Sequence, residues 1–313
     1  MTNQNRFGTN ISRFAVILAV VAMGAAPSIA QNMTLEGQTG GFITPTAYVV
    51  QVKKGKLFSM PNVGYHFINA GNVIGNVHTA SITEGIHNWA EFGYTRSIHT
   101  KGDNPYFSSL WNYDGMNIFH GKAVVLKENS FHSDWTPGIA AGFVARTGDH
   151  FVSGAIDGKT YTNEDVYVSV TKTALKIRPP VLLNIGWKAT NASIYGIGGQ
   201  STRFAGRVFG GIGFPLPGPW HTAFIPAAGF TQEPYHVKNL SADVPGGGHI
   251  PTTLDYAVRF TQRENPRFTV DAGVGQVAGV IGATTIPTVT GLAVVPVNLN
   301  ARKVFGIGVS VHF

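Results

Sequence analysis

The last eleven residues of the chain, from Lys303 to Phe313, alternate almost without error between two kinds of side chain. Small or polar residues occupy one set of alternate positions, and the other set is Phe305, Ile307, Val309, Val311 and Phe313. Because successive side chains of a strand point to opposite faces, this segment predicts a strand with one apolar face. A strand of about ten residues with an apolar outer face is typical of a membrane-spanning barrel. We interpret these five apolar residues as the C-terminal assembly signal of such a barrel.

The N-terminus has the pattern of an export signal. Arg6 and Arg13 precede an apolar run from Phe14 to Ala26, and the small residues of Ser28-Ile29-Ala30 follow. This order predicts cleavage between Ala30 and Gln31. The apolar run covers about thirteen residues, which is short of the roughly twenty that a transmembrane helix needs. A retained signal anchor is the alternative.

The composition of the remaining chain limits the classes of protein that it can form. Beyond Ala30 no apolar run approaches the length of a transmembrane helix, so strands must make any passage through a bilayer. Only 12% of the residues are charged, about half the usual share. Without Arg6 and Arg13 the chain has 21 basic and 16 acidic residues, a surplus too small and scattered to predict a nucleic-acid partner. The absence of cysteine excludes disulfides and a cysteine-linked lipid anchor.

Alternation with a period of two recurs along the mature sequence, whereas helical periodicity is not sustained. The pattern predicts an all-β protein: a single antiparallel transmembrane β-barrel of about twelve strands, an even number as in bacterial single-chain barrels. The predicted strands are Lys56 to Phe67, Gly75 to Thr83, Asn88 to Ser97, Gly115 to Leu126, Pro137 to Arg146, Asn163 to Ala174, Val181 to Thr190, Thr202 to Gly213, His221 to Thr231, Thr252 to Gln262, Arg267 to Ala278 and Lys303 to Phe313.

Alternation also places charged residues opposite the apolar face of these strands. One example is the set Leu254, Tyr256, Val258 and Phe260, which alternates with Asp255, Ala257, Arg259 and Thr261. A carboxylate facing hydrocarbon costs several kcal/mol, so the charged face is predicted to line the lumen. The predicted lumen-facing charges are Lys122, Lys188, Arg207, Arg259, Glu91, Asp165, Asp255 and Asp271. The strand of Lys122 alternates less regularly than the others.

The connections between the predicted strands alternate in length, as expected for short periplasmic turns and longer outer loops. Short connections are predicted at residues 84–87, 175–180, 214–220 and 263–266, with a longer turn at 127–136. Longer connections are predicted at 98–114, 147–162, 191–201, 232–251 and 279–302. This rhythm predicts a location in the outer membrane of a Gram-negative cell, with both chain ends in the periplasm. A soluble β-sandwich or jelly roll is the alternative, because it also alternates.

Two segments do not fit the barrel pattern. Residues 31–55 contain the turn-like run Gly40 to Ala47, in which Pro45 is unfavourable for a central strand. They are predicted to form a periplasmic lead-in, a small plug or an edge hairpin. Residues 279–300 are apolar and interrupted by proline, and a hairpin there would raise the strand count to fourteen. The predicted organisation is a signal peptide at 1–30, a lead-in or plug at 31–55 and a barrel at 56–313.

Several short motifs resemble those of YjbH-like outer-membrane barrels and of a related domain-of-unknown-function family of exported barrels. They are Leu35-Glu36-Gly37 followed by Gly40 to Ala47, the hairpin Ala80 to Tyr94, and Asp165 to Lys172 followed by Leu182-Leu183-Asn184. The resemblance covers most of the mature chain, except the long segment 279–300. It implies an outer-membrane location and no established enzymatic activity, and it assigns no catalytic or binding residue.

No motif in the sequence predicts an enzyme, a cofactor or a metal site. Asp149-His150 lies in a predicted outer loop without a second acidic pair, and neither His120 nor His312 has a Ser-centred motif beside it. The eleven histidines lack the spacing of a metal site. The run Gly246-Gly247-Gly248 lies within a loop rather than between a strand and a helix, so it does not predict phosphate binding.

The sequence leaves two functional hypotheses open. The first is a narrow, weakly anion-selective pore, in which the inward cations line a water path through a twelve-stranded barrel. The second is a structural or assembly protein of the envelope, linked to export of a surface polymer and without solute transport, in which the inward acids pair with those cations. Both hypotheses predict membrane lipid and the barrel assembly machinery as partners, and neither defines a solute.

Overall fold

The computed structural model describes residues 32–100, 102–103, 115–148, 161–192, 195–196, 200–234, 252–262, 267–277, 280–298 and 302–313. Fifteen antiparallel strands make up the fold of these residues, together with a short α-helix, α1 (Gly71–Ile74), and a 3-10 turn at Ser130–His132. The strands are β1 (Asn62–Asn69), β2 (Asn76–Ile86), β3 (Ala90–Thr100), β4 (Met116–Leu126), β5 (Gly138–Gly148), β6 (Tyr161–Ala174), β7 (Val181–Ala192), β8 (Gln200–Gly213), β9 (Leu216–Pro217), β10 (Thr222–Gln232), β11 (Thr252–Gln262), β12 (Phe268–Val277), β13 (Val280–Thr288), β14 (Gly291–Asn298) and β15 (Arg302–His312).

Twelve of these strands form a closed antiparallel barrel. Strands β1 to β8 pair in sequence order, and β10, β11, β12 and β15 continue the ring. The ring closes where β15 pairs with β1, from Asn62 opposite His312 to Asn69 opposite Phe305. Closure leaves no unpaired sheet edge, which is the condition for strands to cross a bilayer. The predicted all-β barrel of twelve strands is confirmed, and the sandwich alternative is wrong.

The apolar segment before the last strand forms a hairpin outside the ring. Strands β13 and β14 pair only with each other and make a separate two-stranded sheet. The alternative count of fourteen strands is therefore wrong for the barrel, because both strands of this hairpin extend the connection between β12 and β15.

The predicted strand limits agree well with the barrel strands. Strand β11 has the predicted limits, Thr252–Gln262. The largest difference is at β1, which begins at Asn62 rather than at Lys56. Residues 53–61 instead form a linker along the end of the β2–β3 hairpin, where Ser59 N donates to Gly85 O and His87 N donates to Leu57 O.

The two faces of the wall differ as the alternation predicts. On β15, Phe305 and Ile307 are exposed on the outer surface, whereas Gly306, Gly308 and Ser310 are buried inside. The other strands expose large apolar side chains in the same way, including Phe92, Phe119, Phe143, Val166, Ile185, Trp187, Tyr256 and Phe260. Among the described residues no helix is long and apolar enough to span a membrane. The closed ring with its apolar outer surface is that of an outer-membrane β-barrel.

Exposed aromatic residues mark one end of the barrel. Trp89, Trp135 and Trp220 lie in the connections β2–β3, β4–β5 and β8–β10, the same end at which the backbone N–H of Phe313 donates to Pro61 O. Tryptophan prefers the interface between lipid and water, so this end, which we call the tryptophan end, lies at one of the two membrane interfaces. That it faces the periplasm stays a prediction. The predicted turn at 263–266 and most residues of the predicted outer loops lie outside the described residues.

Candidate functional site: the filled lumen

Residues 32–52, which we call the plug, lie inside the barrel. Their contacts reach strands on different sides of the ring: Asn32 contacts Asp271 on β12, Thr39 contacts Glu91 on β3, and Ala47 contacts Thr171 on β6. Only a segment that crosses the lumen can meet all three strands. Most of its residues are buried, including polar ones such as Gln38 and Thr39.

The plug is a self-contained unit. Its described backbone-to-backbone hydrogen bonds are internal, for example from Thr34 N to Gln38 O and from Leu35 N to Phe42 O. Two isolated bridges, Met33 with Thr39 and Gly40 with Pro45, also lie within it. Among the described residues the plug shares no backbone ladder with the wall, so side chains attach it to the barrel.

A buried ion pair on β3 and β4 forms the first of these attachments. Lys122 Nζ lies 3.1 Å from Glu91 Oε1, and both side chains are fully buried. Lys122 Nζ also donates to Thr39 O at 2.7 Å and to Thr46 O at 3.0 Å. Glu91 in turn accepts hydrogen bonds from Thr39 N and Val50 N. Both partners of this wall pair therefore bind the plug.

A second buried cluster involves two residues that the sequence reasoning missed. The Arg146 guanidinium on β5 donates to Glu36 of the plug, from Nε at 2.5 Å and from the second terminal nitrogen at 2.8 Å. That terminal nitrogen also donates to Asp165 Oδ2 on β6 at 2.7 Å. One arginine thus joins two strands to the plug through charge-assisted hydrogen bonds. The sequence contains a signal for Arg146, because alternate residues of a strand share a face and Arg146 therefore lies on the same inner face as Val144.

A third cluster connects the plug to β11 and β12. Arg259 and Asp271 face each other across the strands and make two hydrogen bonds of 2.9 and 3.0 Å. Arg259 also donates to Gly40 O at 3.0 Å, and Asn32 donates to Asp271 at 2.5 Å. As at β3 and β4, both members of a wall pair bind the plug.

The remaining predicted lumen charges have other surroundings. Lys188 is buried, with its Nζ 5.6 Å from the ring centre of Tyr195, a residue of the β7–β8 loop. Arg207 Nε donates to the backbone oxygen of Glu233 at 2.7 Å. Asp255 is only 5% exposed, and its Oδ1 has no hydrogen-bond donor among the described residues.

An open pocket lies between the plug and parts of β7, β8 and β10 to β12. Its walls consist mainly of small or apolar residues, including Phe42, Leu182, Gly213, Ile225, Ala227 and Ala257. Asp255, Arg259 and Asp271 also line it. The pocket thus lies between the contacts that the plug makes with β7 and those that it makes with β11 and β12.

The part of the plug at the tryptophan end of the barrel is held by neutral and charged partners together. Tyr48 donates to Glu128 at 2.7 Å and lies 2.7 Å from the hydroxyl of Thr173. Burial and the nearby Glu128 carboxylate raise the pKa of Tyr48 well above its ordinary value, so the phenol keeps its proton. Further along, Val52 N donates to Asn88 in the β2–β3 turn.

An apolar cluster inside the barrel explains the irregular alternation of the strand that carries Lys122. Met116 and Ile118 on β4 point inward and pack with Val144, Tyr167 and Phe209. The inner face of β4 is apolar at Met116 and Ile118 and charged at Lys122. The sequence of this strand therefore does not alternate simply between apolar and polar residues.

The candidate catalytic groups show no assembled site in the described structure. His120 is buried against Thr83, and His312 lies at the tryptophan end of β15, opposite Asn62. Asp149-His150 and Gly246-Gly247-Gly248 lie outside the described residues. The described residues contain no group of three or more acidic or histidine side chains placed to hold a metal ion. That the chain is not an enzyme stays a prediction.

Comparisons with known proteins find similarity in structure only. No protein-family model and no curated protein matches the sequence. The NanC porin has a TM-score of 0.46 at 11% identity, covering 81% of this chain and 100% of that one. Omp33 of Acinetobacter baumannii has 0.39 at 10% identity, covering 82% and 99%. An anion-selective porin from Comamonas acidovorans has 0.30 at 8% identity, covering 82% and 99%. Because every score is below 0.5, the assignment as a membrane barrel rests on the closed ring and its outer surface.

Proposed function

We propose that this protein is a gated pore of the outer membrane, closed in the present conformation by its own plug. The observation that carries the proposal is the mode of attachment: the plug is held by side-chain contacts and not by a sheet ladder. It can leave the lumen as a unit while all twelve strand pairings of the wall remain intact. Breaking a ladder would instead expose unpaired backbone groups in lipid.

The closed state gives no support for a preference for anions. Two of the four cations expected to favour anions, Lys122 and Arg259, are paired with Glu91 and Asp271. Selectivity therefore depends on which charges stay unpaired once the plug has moved.

The second candidate is a structural or assembly protein with a permanently closed lumen, linked to export of a surface polymer. The compensated ion pairs favour it, because paired charges brace a wall without lining a channel. The two candidates differ in one respect, which is whether the plug moves.

A pair of engineered disulfides tests the proposal. An ideal Cβ on Gly138 lies 3.4 Å from Ala47 Cβ, and one on Gly64 lies 3.7 Å from Met33 Cβ, close to disulfide geometry. The chain has no native cysteine, so the four cysteines of a variant with A47C, G138C, M33C and G64C are its only thiols, and the two short distances favour the links between plug and wall. In planar bilayers we expect conductance steps under reducing conditions and none after oxidation.

Two controls make the result specific. The four single-cysteine variants show whether each substitution alone changes conductance, and a variant lacking residues 32–52 shows the open barrel. We expect this deletion variant to conduct continuously. If it folds and does not conduct, or if oxidation leaves the conductance steps of the stapled variant unchanged, the gated pore is excluded.

We also propose that the barrel assembly machinery recognises the last strand, β15. The outward row of β15 ends at Phe313, next to the seam with β1. Deletion of Phe313 removes an exposed aromatic group that makes no ion pair, so folding in detergent should change little. The amount of protein in the outer membrane of cells should fall several-fold, and an unchanged amount would contradict the proposal.

A further inference from the structure

Asp255 is the exception among the buried acids of the wall. Glu91, Asp165 and Asp271 each have an arginine or lysine within 3.1 Å. Asp255 on β11 is opposite Gly229 on one neighbouring strand and Gly275 on the other. Because neither of these glycines has a side chain, the positions directly opposite Asp255 supply no partner, and Oδ1 has no donor among the described residues.

The space next to Asp255 has the lining of a ligand site. Small and apolar residues make up most of the pocket wall, with a few charged groups among them. Its cation, Arg259, is engaged by Asp271 and by the backbone oxygen of Gly40. The pocket therefore contains one carboxyl group without an ion-pair partner beside an apolar surface.

We propose that this pocket binds small organic ammonium ions with a short apolar body, the ammonium group on Asp255 and the body against Phe42, Leu182 and Ile225. A buried carboxylate without a partner is costly, and a cation that pairs with it offsets that cost. An anion would meet repulsion instead, and a neutral molecule would leave the carboxylate unpaired. Binding in the pocket does not depend on gating. That such an ammonium ion is also the transported solute rests on the proposed function as a gated pore.

Ligand titrations on the full chain in detergent test the proposal without requiring conductance. The probes are n-butylammonium, ammonium, butyrate and butanol, followed by ligand-observed NMR, with protein-free micelles as the blank. We expect n-butylammonium to bind at least tenfold more tightly than each of the other three. Equal binding of butyrate would exclude the role of Asp255, and equal binding of ammonium would exclude the role of the apolar lining.

Two variants locate the site. Asp255→Asn keeps the shape and removes the charge, so n-butylammonium affinity should fall at least tenfold while butanol binding stays constant. Gly229→Ala would place a Cβ 2.3 Å from Asp255 Oδ1 and displace the carboxylate, with the same expected loss. The matched control is Asp134→Asn, which removes an exposed acid that pairs with Lys176 at the tryptophan end of the barrel.

The outcomes separate this inference from the pore itself. If Asp255→Asn binds n-butylammonium as tightly as the wild type, the proposed site is excluded whatever the bilayer recordings show. If the disulfide-stapled variant conducts under oxidising conditions but the titrations behave as expected, the pocket remains a binding site and only its link to transport is lost.

Discussion

Lys122 Nζ lies 3.1 Å from Glu91 Oε1 inside the barrel, and each of the two side chains also binds the backbone of the plug. The pair therefore has two functions, because it connects neighbouring strands and it holds the segment that fills the lumen. A substitution at either residue should affect both stability and closure.

Lys122→Met should lower the free energy of unfolding by about 3–5 kcal/mol, the usual cost of leaving one buried charge without its partner. It should also make the plug open more often, because Thr39 O and Thr46 O lose their donor. Denaturant unfolding and bilayer conductance measure the two effects. The double variant with Glu91→Gln removes both charges and should be more stable than Lys122→Met alone. A single variant as stable as the wild type would contradict this account of the pair.

Glu36→Ala should loosen the plug with little effect on the wall. Arg146 keeps its bond to Asp165 when Glu36 is removed, so the β5–β6 connection is preserved. We expect more frequent conductance steps and a loss of about 1.5–3 kcal/mol of unfolding free energy, the usual worth of hydrogen bonds to a charged group. Asp165→Asn is the matched variant, because it removes the bond between wall strands instead of the bond to the plug. A loss of stability from Glu36→Ala equal to that from Asp165→Asn would argue against the separation.

Gly85→Ala tests the fit of the plug without changing any charge. A Cβ at Gly85 would lie 2.1 Å from the backbone oxygen of Val50, so the plug has to move away. Overpacking of this kind costs about 1–3 kcal/mol, and conductance should rise. Gly213→Ala is the control, because its Cβ would meet Ile225 at an ordinary 3.4 Å. Equal behaviour of the two variants in bilayers would mean that Val50 does not determine closure.

Tyr48 should make the attachment of the plug sensitive to alkaline pH. Its folded-state pKa is raised above the ordinary value of 10.0 by burial and by Glu128, which itself pairs with Lys172. A raised folded pKa gives stability that is complete below about pH 10 and is lost as the pH rises through the folded value. Tyr48→Phe should cost about 1.5–3 kcal/mol at neutral pH. The difference in unfolding free energy between Tyr48→Phe and the wild type, measured in urea, should shrink above pH 10. A difference that grows there would contradict the raised pKa of Tyr48.

The fold was largely predictable because a barrel wall separates two environments. In a strand such as β11, alternate residues face lipid and the interior. The residues that face lipid are apolar and most of the others are small or polar, so the pattern is visible in the sequence. A hairpin at residues 279–300 was predicted as an alternative, but its position outside the ring was not, for a related reason. It is as apolar as a wall strand, and nothing in its own residues shows that it pairs outside the ring.

The site was less predictable, because alternation gives the face of a side chain but not its height or its partner. The sequence predicts inward Lys122 and Glu91, and only their positions on adjacent strands, Glu91 opposite Lys122, reveal the pair. Contacts between the plug and the wall strands link residues 41 to 278 positions apart, as between Val50 and Glu91 or Asn32 and Ser310. No local pattern contains such information.

The plug precedes every wall strand in the chain, and this order constrains how the molecule matures. Its contacts include Ser310 on the final strand, so they form completely only after that strand has joined the first one. Residues 53–61 connect it to β1 at the same end of the barrel as the β2–β3 turn. The segment that fills the interior is thus synthesised before every strand around it, but it gains its full set of contacts only with the last of them.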